Sequence, residues 1–147
     1  MTPTEIEQPH LLTRLQFHGR RRAAEDSLLE FTKQSWNVVE PSPLDINWHV
    51  ECLCEHLAAV ANQQCLRLLI NLPPRHMKSL VANVFFPAWV WANRPRKDLN
   101  GAPTNEEGWF GSGVKFLHVT YKQDLTTRDS TKCRRVIESP WYQQNWG

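Results

Sequence analysis

The sequence has no long hydrophobic run and little net charge. No apolar stretch approaches the roughly eighteen residues that a membrane-spanning helix needs, and no signal peptide is visible. The 17 Lys and Arg residues nearly balance the 15 Asp and Glu residues, which leaves a net charge of +2. Bulk charge therefore gives no argument for nucleic-acid binding, and no membrane segment is expected.

Cysteines with the spacing of a metal site are also lacking. The four cysteines, Cys52, Cys54, Cys65 and Cys133, include no C-x-x-C pair. Cys52, Cys54 and His56 are close in sequence, but residues two apart on a helix point in different directions. We therefore expect reduced, mostly buried thiols in a cytoplasm and no metal site at these residues.

The composition is that of a globular protein. Hydrophobic residues make up 41% and charged residues 22% of the 147 positions, and no internal repeat is visible. This length fits one domain. Residues 1–21 are polar and include Pro3, Pro9 and part of the basic triplet Arg20–Arg22. They are predicted to form a flexible basic arm. The triplet could contact phosphate or simply begin a solvated helix.

Hydrophobic periodicity predicts helices over about residues 23–36 and 48–62. Asp124 is a candidate cap for a third helix, which should run to about Glu138 before Ser139 and Pro140 end it. A further helix should start at Lys78, and Pro87 should divide it from a piece ending near residue 93. Apolar runs over residues 66–71 and 114–121 predict two strands, and residues 95–113 predict a long loop. Alternating strands and helices predict an α/β fold with a parallel sheet.

The most informative motif, LRLLINLPPRHMKS, covers residues 66–79. An apolar run reaches a tight turn, and Lys78 and Ser79 then begin a helical pattern, which is the layout of a phosphate-binding loop. The usual glycines of this pattern are replaced by Leu72 and Met77. Glycine lets the backbone pass close to phosphate. If Met77 has a negative φ, its neighbours can still cradle phosphate, whereas a required positive φ would weaken binding.

The segment INLPPRHMKSLVANVFFPAWVWANRP resembles the ATPase motor of tailed-phage terminase large subunits, whose phosphate loop commonly has the sequence PPRHGKS. Similar segments are SLLEFTKQSWNVVEP, WHVECLCEHL and FLHVTYKQDLTTRDSTKCRRVIESPWYQ. The resemblance covers about residues 22–147. It implies a P-loop NTPase fold with an incomplete parallel sheet flanked by helices. The chain would be the amino-terminal part of the ATPase domain, truncated and without the nuclease domain.

The resemblance implies ATP and Mg²⁺ as cofactors. Lys78 would contact the β- and γ-phosphates and Ser79 would bind Mg²⁺. Arg75 would stabilise charge on the γ-phosphate as an arginine finger does, or only pair with a carboxylate at the rim of the loop. Lys78 and Arg75 are thus the catalytic candidates. The nucleotide-binding candidates are Pro74, Arg75, His76, Met77, Lys78 and Ser79, with His76 either donating to phosphate or only shaping the loop.

Two more groups of residues are candidates by resemblance. Contacts to the adenine are expected from among Phe31, Gln34, Trp36 and His49, each of which could instead be a core or surface residue. Thr120, Tyr121 and Lys122 occupy the position of a motif that transmits the nucleotide state toward DNA, or they are only the end of a strand before a helix.

The sequence lacks the acidic pair that hydrolysis requires. Such a pair should follow a third apolar strand, and no Asp or Glu after Ser79 follows four or more apolar residues. The resemblance would place that strand between the two strands predicted here, so their edges would be unpaired and prone to aggregation. ATPase activity is therefore expected of a full-length protein only.

The function implied is packaging of viral DNA, with ATP driving double-stranded DNA into the procapsid. The partners implied are the DNA, the terminase small subunit, the portal protein and sibling subunits, in the host cytoplasm at the portal. Two alternatives remain. One is another P-loop translocase or helicase, and the other is a non-catalytic remnant in which the helices around Trp89 and Trp141 only pack.

Overall fold

A computed structural model describes residues 8–94 and 108–147 of the chain. Its helices are α1 (Gln8–Asp26), α2 (Leu28–Val39), α3 (Trp48–Ala61), α4 (Lys78–Leu80), α5 (Phe86–Ala92), α6 (Gln123–Glu138) and α7 (Pro140–Trp146). A π-helical turn, Val81–Phe85, joins α4 to α5. Among these helices none is long and apolar enough to cross a membrane.

The prediction of an α/β P-loop fold with an incomplete parallel sheet is wrong, because residues 8–94 and 108–147 form helices and no strand. Within the predicted strands 66–71 and 114–121, residues 68–71 and 115–121 alternate between half-buried and exposed positions, as an extended backbone does. However, these residues make no backbone–backbone hydrogen bond with the described part of the chain. A strand needs a partner, and neither segment has one there.

Helix α1 includes residues 8–21, which the sequence predicts as part of a flexible arm; residues 1–7 lie outside the described ranges. Ion pairs one helical turn apart support its carboxyl-terminal end. Arg21 lies 2.8 Å from Glu25, and Arg22 lies 3.1 Å from Asp26. The side chains of residues 12–20 are exposed, so this part of α1 projects from the core.

Helix α2 is central to the hydrophobic core. Phe31 is fully buried, and its ring centroid lies 5.3 Å, 6.3 Å and 5.6 Å from those of Trp141, Tyr142 and Trp146 on α7. Near the other end of α2, the ring of Trp36 lies 6.0 Å from that of a phenylalanine in the π-helical turn. The core therefore brings α7 and the π-helical turn together around α2.

The helical segment that begins at Lys78 runs without interruption to Ala92. The sequence predicts a division at Pro87, but the helix passes through it. Proline lacks an N–H and its ring clashes with the carbonyl four residues earlier in a regular α-helix. The π-helical turn comes just before this position, and Phe86 donates its N–H to the carbonyl of Val81. The wider turn shifts the hydrogen-bond ladder and accommodates Pro87.

The loop predicted over residues 95–113 lies mostly outside the described ranges. Its described end is tied to two helices. The N–H of Trp109 donates to the carbonyl of Ala61 at 2.7 Å, and that of Gly111 donates to the carbonyl of Val90 at 2.8 Å. Gly111 has a φ of 98°, which only glycine adopts readily.

The four thiols are free. Cys54 and Cys133 are buried, whereas Cys52 is exposed and Cys65 is partly exposed. Burial raises the pKa of Cys54 to about 12 and that of Cys133 to about 11. Both groups are therefore neutral in the folded protein at physiological pH.

Candidate phosphate-binding turn

Two non-glycine residues of the motif have positive φ angles. Arg75 has a φ of 69° and Met77 has a φ of 59°. Met77 occupies the position where the phosphate-loop pattern has glycine, and it precedes Lys78, the first residue of α4. A left-handed conformation costs an L-residue roughly 1–2 kcal/mol. The turn thus has the backbone shape that glycine normally supplies, but it is built with methionine. Of the two cases left open by the sequence, the structure has the positive φ, for which weaker phosphate binding is predicted.

Several backbone N–H groups at the turn have no acceptor within the helix. Lys78, Ser79 and Leu80 form the first helical turn, whose N–H groups lack an intrahelical partner. The backbone N–H of Val81, by contrast, donates to the carbonyl of Met77 at 2.9 Å. Successive free amides and the positive end of a helix together favour an anion.

The cationic side chains at the turn are uncommitted. Neither Lys78 nor Arg75 forms an ion pair with a residue of the described ranges. Arg75 is exposed, and Lys78 and Ser79 are half-buried. The rim carboxylate considered as a partner for Arg75 is therefore not found among the described residues. Both positive groups remain available to a ligand.

His76 is held at the turn by two contacts. Its Nδ1 lies 3.0 Å from the carbonyl oxygen of Pro74, so this nitrogen carries the proton. Its ring centroid lies 5.3 Å from that of His49 on α3, at an interplanar angle of 65°. These contacts fix the shape of the turn, and they bring α3 against it.

The other candidates for adenine contact lie elsewhere. Phe31 is 0% exposed and Trp36 is 6% exposed, so both rings belong to the core. The side-chain amide of Gln34 donates to the carbonyl of Arg20 at 2.9 Å. Of the four candidates, His49 is the one that contacts the turn within the described residues.

Thr120, Tyr121 and Lys122 lie where the chain enters α6. The hydroxyl of Thr120 donates to the carbonyl of Lys122 at 2.8 Å, and Lys122 lies 3.3 Å from Asp124 in an exposed ion pair. Tyr121 is 94% exposed. The described contacts of Thr120 and Lys122 are thus those of a helix start.

A cavity of about 420 Å³ lies between the helical segment 78–92 and α6. Asn83 and Asp129 line it together with the rings of Trp91, Phe116 and His118. Asn83 donates to Asp129 Oδ2 at 3.0 Å, while Oδ1 accepts from Arg128. Because both oxygens are engaged and the residue is 4% exposed, Asp129 has a structural role here.

The hydrogen bond between Asn83 and Asp129 was not predicted from the sequence. One signal was available, since the buried residues of α6 are Asp129, Cys133 and Val136, which follow a helical spacing. An acid on the buried face of a helix requires a partner. The identity of that partner depends on tertiary contacts.

Within the described ranges, no group of three or more His, Cys, Asp or Glu residues is placed to hold a metal ion. Comparison of the chain with protein families, curated proteins and solved structures gives no match.

Proposed function

We propose that the turn from Pro74 to Ser79 binds the phosphate groups of a nucleotide, ATP with Mg²⁺. The observation that carries this proposal is the tight turn that leads directly into a helix at Lys78, where three backbone N–H groups have no intrahelical acceptor. The positive φ of Met77 shapes this turn at a cost in strain that glycine would not have, so binding should be weaker than with glycine. A phosphate site needs a tight turn, free amides and a positive side chain, and it does not require a sheet.

Each residue has a defined role in this proposal. The N–H groups of Lys78, Ser79 and Leu80 donate to phosphate oxygens. The ammonium group of Lys78 neutralises the outer phosphates, and the Ser79 hydroxyl is one ligand of Mg²⁺. The exposed guanidinium of Arg75 contacts the terminal phosphate. His76 holds the turn in shape through Pro74.

The wider role in the proposal is that of the amino-terminal part of a terminase large subunit. The protein would then act in the host cytoplasm, where ATP drives double-stranded DNA through the portal into a procapsid. Sibling subunits and the small subunit would be further partners. The resemblance of about residues 22–147 supports this role. The sequence has no acidic pair at the end of an apolar run after Ser79, so the proposal for this chain is nucleotide binding and not hydrolysis.

The test is a titration of a fluorescent ATP analogue with and without Mg²⁺. Lys78→Ala should weaken binding by roughly 10- to 100-fold, because a hydrogen bond from a charged group contributes about 1.5–3 kcal/mol. Lys33→Ala is the matched control, because Lys33 is a half-exposed lysine on α2 that pairs with Glu30. Equal binding by Lys78→Ala and the wild type would count against the site.

A further inference from the structure

Residues 114–121 are fixed to the helices by one face. The indole N–H of Trp91 donates to the carbonyl of Val114 at 2.8 Å, and the Phe116 ring lies 5.4 Å from that of Trp91. Near the carboxyl-terminal end of the segment, the Thr120 hydroxyl lies 2.6 Å from the hydroxyl of Thr126 on α6. The segment is therefore anchored along its length.

The opposite face of the same segment is apolar and exposed. Leu117 is 89% exposed, Val119 is 84% exposed and Tyr121 is 94% exposed. These side chains occupy every second position, so they project from one side of an extended backbone. Large apolar side chains that are grouped and almost fully exposed mark a surface that another molecule covers.

The backbone of residues 115–121 has no backbone partner among the described residues. Phe116 and Thr120 nevertheless hold the segment in place. An extended segment with free N–H and C=O groups is a template for another strand. Addition of a strand is a known mode of peptide recognition, in which the backbone supplies affinity and alternate side chains supply specificity.

The charges nearby indicate what kind of peptide fits. Residues 108–123 contain two charged side chains, Lys115 and Lys122, and both are basic. Lys122 pairs with Asp124, whereas Lys115 forms no ion pair with a described residue. A carboxylate opposite Lys115 would therefore complement the segment, because opposite charges on facing strands stabilise pairing.

We propose that residues 114–121 are a docking edge for an extended peptide that alternates aliphatic side chains and has an acidic residue opposite Lys115. A single-stranded nucleic acid fits less well. Leu117 and Val119 offer aliphatic surface, and Tyr121 is the one exposed aromatic ring of this face, whereas single-stranded nucleic acid stacks successive bases on several rings. This docking edge is independent of phosphate binding at Lys78.

The probe is a fluorescein-labelled peptide of about eight residues, which spans the edge at roughly 3.3 Å per residue. It alternates valine with threonine and has glutamate at both ends. Fluorescence anisotropy with the whole chain should show saturable binding. The double variant Leu117→Lys/Val119→Lys should weaken it at least about tenfold through loss of apolar contact. The same peptide with alternate amides N-methylated should not bind, since it lacks the donors for strand pairing.

The matched control is Leu12→Lys/Leu15→Lys, which adds the same charges at exposed leucines of α1 and should bind as the wild type does. Unchanged thermal midpoints would show that both variants fold. The proposal is overturned if the peptide fails to bind, or if the N-methylated peptide or the Leu117→Lys/Val119→Lys protein binds equally well. It is also overturned if a single-stranded oligonucleotide, or a second copy of the chain, occupies the edge in place of the peptide.

Discussion

Asn83 donates its side-chain amide to the carboxylate of Asp129 at 3.0 Å, across 46 positions of sequence. Asn83 lies in the π-helical turn that follows Lys78 and Ser79, and Asp129 lies on α6. The bond therefore fixes the π-helical turn, which follows the candidate phosphate-binding turn, against α6. π-Helical turns often occur at functional sites. This one positions Asn83 to contact the buried Asp129.

The first prediction concerns this bond. Asn83→Ala should lower the free energy of unfolding by about 1–3 kcal/mol, because it leaves a buried carboxylate oxygen without its donor. Urea unfolding measures the loss. Asn71→Ala, at an exposed asparagine, should change stability by less than about 0.5 kcal/mol. If the double variant Asn83→Ala/Asp129→Ala lost as much free energy of unfolding as the two single variants together, the two residues would not be coupled.

The second prediction concerns the left-handed Met77. Met77→Gly and Met77→Ala both remove the thioether that packs against the core, but only glycine relieves the positive φ of 59°. The glycine variant should therefore unfold with a free energy about 1 kcal/mol higher than the alanine variant. A glycine variant less stable than the alanine variant, as is usual inside helices, would show that this residue is not left-handed in solution.

The third prediction applies the same comparison at the end of α3. Gln63 has a φ of 58°, and the N–H of Gln64 donates to the carbonyl of Ala59 at 2.9 Å. This is the position after a helix where glycine is preferred. Gln63→Gly should stabilise the protein by roughly 0.5–1 kcal/mol relative to Gln63→Ala, as measured by thermal or urea unfolding. Equal stabilities would contradict the left-handed conformation.

The fourth prediction is a loss of stability at alkaline pH. Burial raises the pKa of Cys54 to about 12 and that of Cys133 to about 11, from 9.0. Above about pH 9 the unfolded chain releases these protons while the folded chain retains them, so the free energy of unfolding falls as pH rises. Cys54→Ala/Cys133→Ala should flatten this slope between pH 9 and pH 11, whereas the exposed Cys52→Ala should preserve it.

The helices were largely predictable from sequence. The structure confirms helices close to the predicted ranges at α3 and α6, because apolar side chains recur with the helical period in α3 and Ser139 and Pro140 end α6. The strands were not predictable in the same way. Alternation indicates an extended backbone, and residues 68–71 and 115–121 do alternate. It does not reveal whether a partner strand is present, and a sheet depends on that partner.

The candidate site was predictable in its residue types but not in its conformation. The sequence places Lys78 and Ser79 after a turn, yet it leaves the sign of φ at Met77 open. Packing decides that sign, and Met77 is packed against the core. The contact between His49 and His76 likewise joins residues distant in sequence. Such contacts follow from the tertiary arrangement of α3 and the turn.

We propose that the amides at the start of α4 bind phosphate. The ¹⁵N–¹H spectrum of the protein, recorded during titration with ATP and Mg²⁺, reports on these amides individually. We expect saturable shifts of the amides of Lys78, Ser79 and Leu80, with the amides of the α7 core unchanged. Unchanged amides at these three residues at saturating ATP, or shifts confined to other parts of the chain, would contradict the claim.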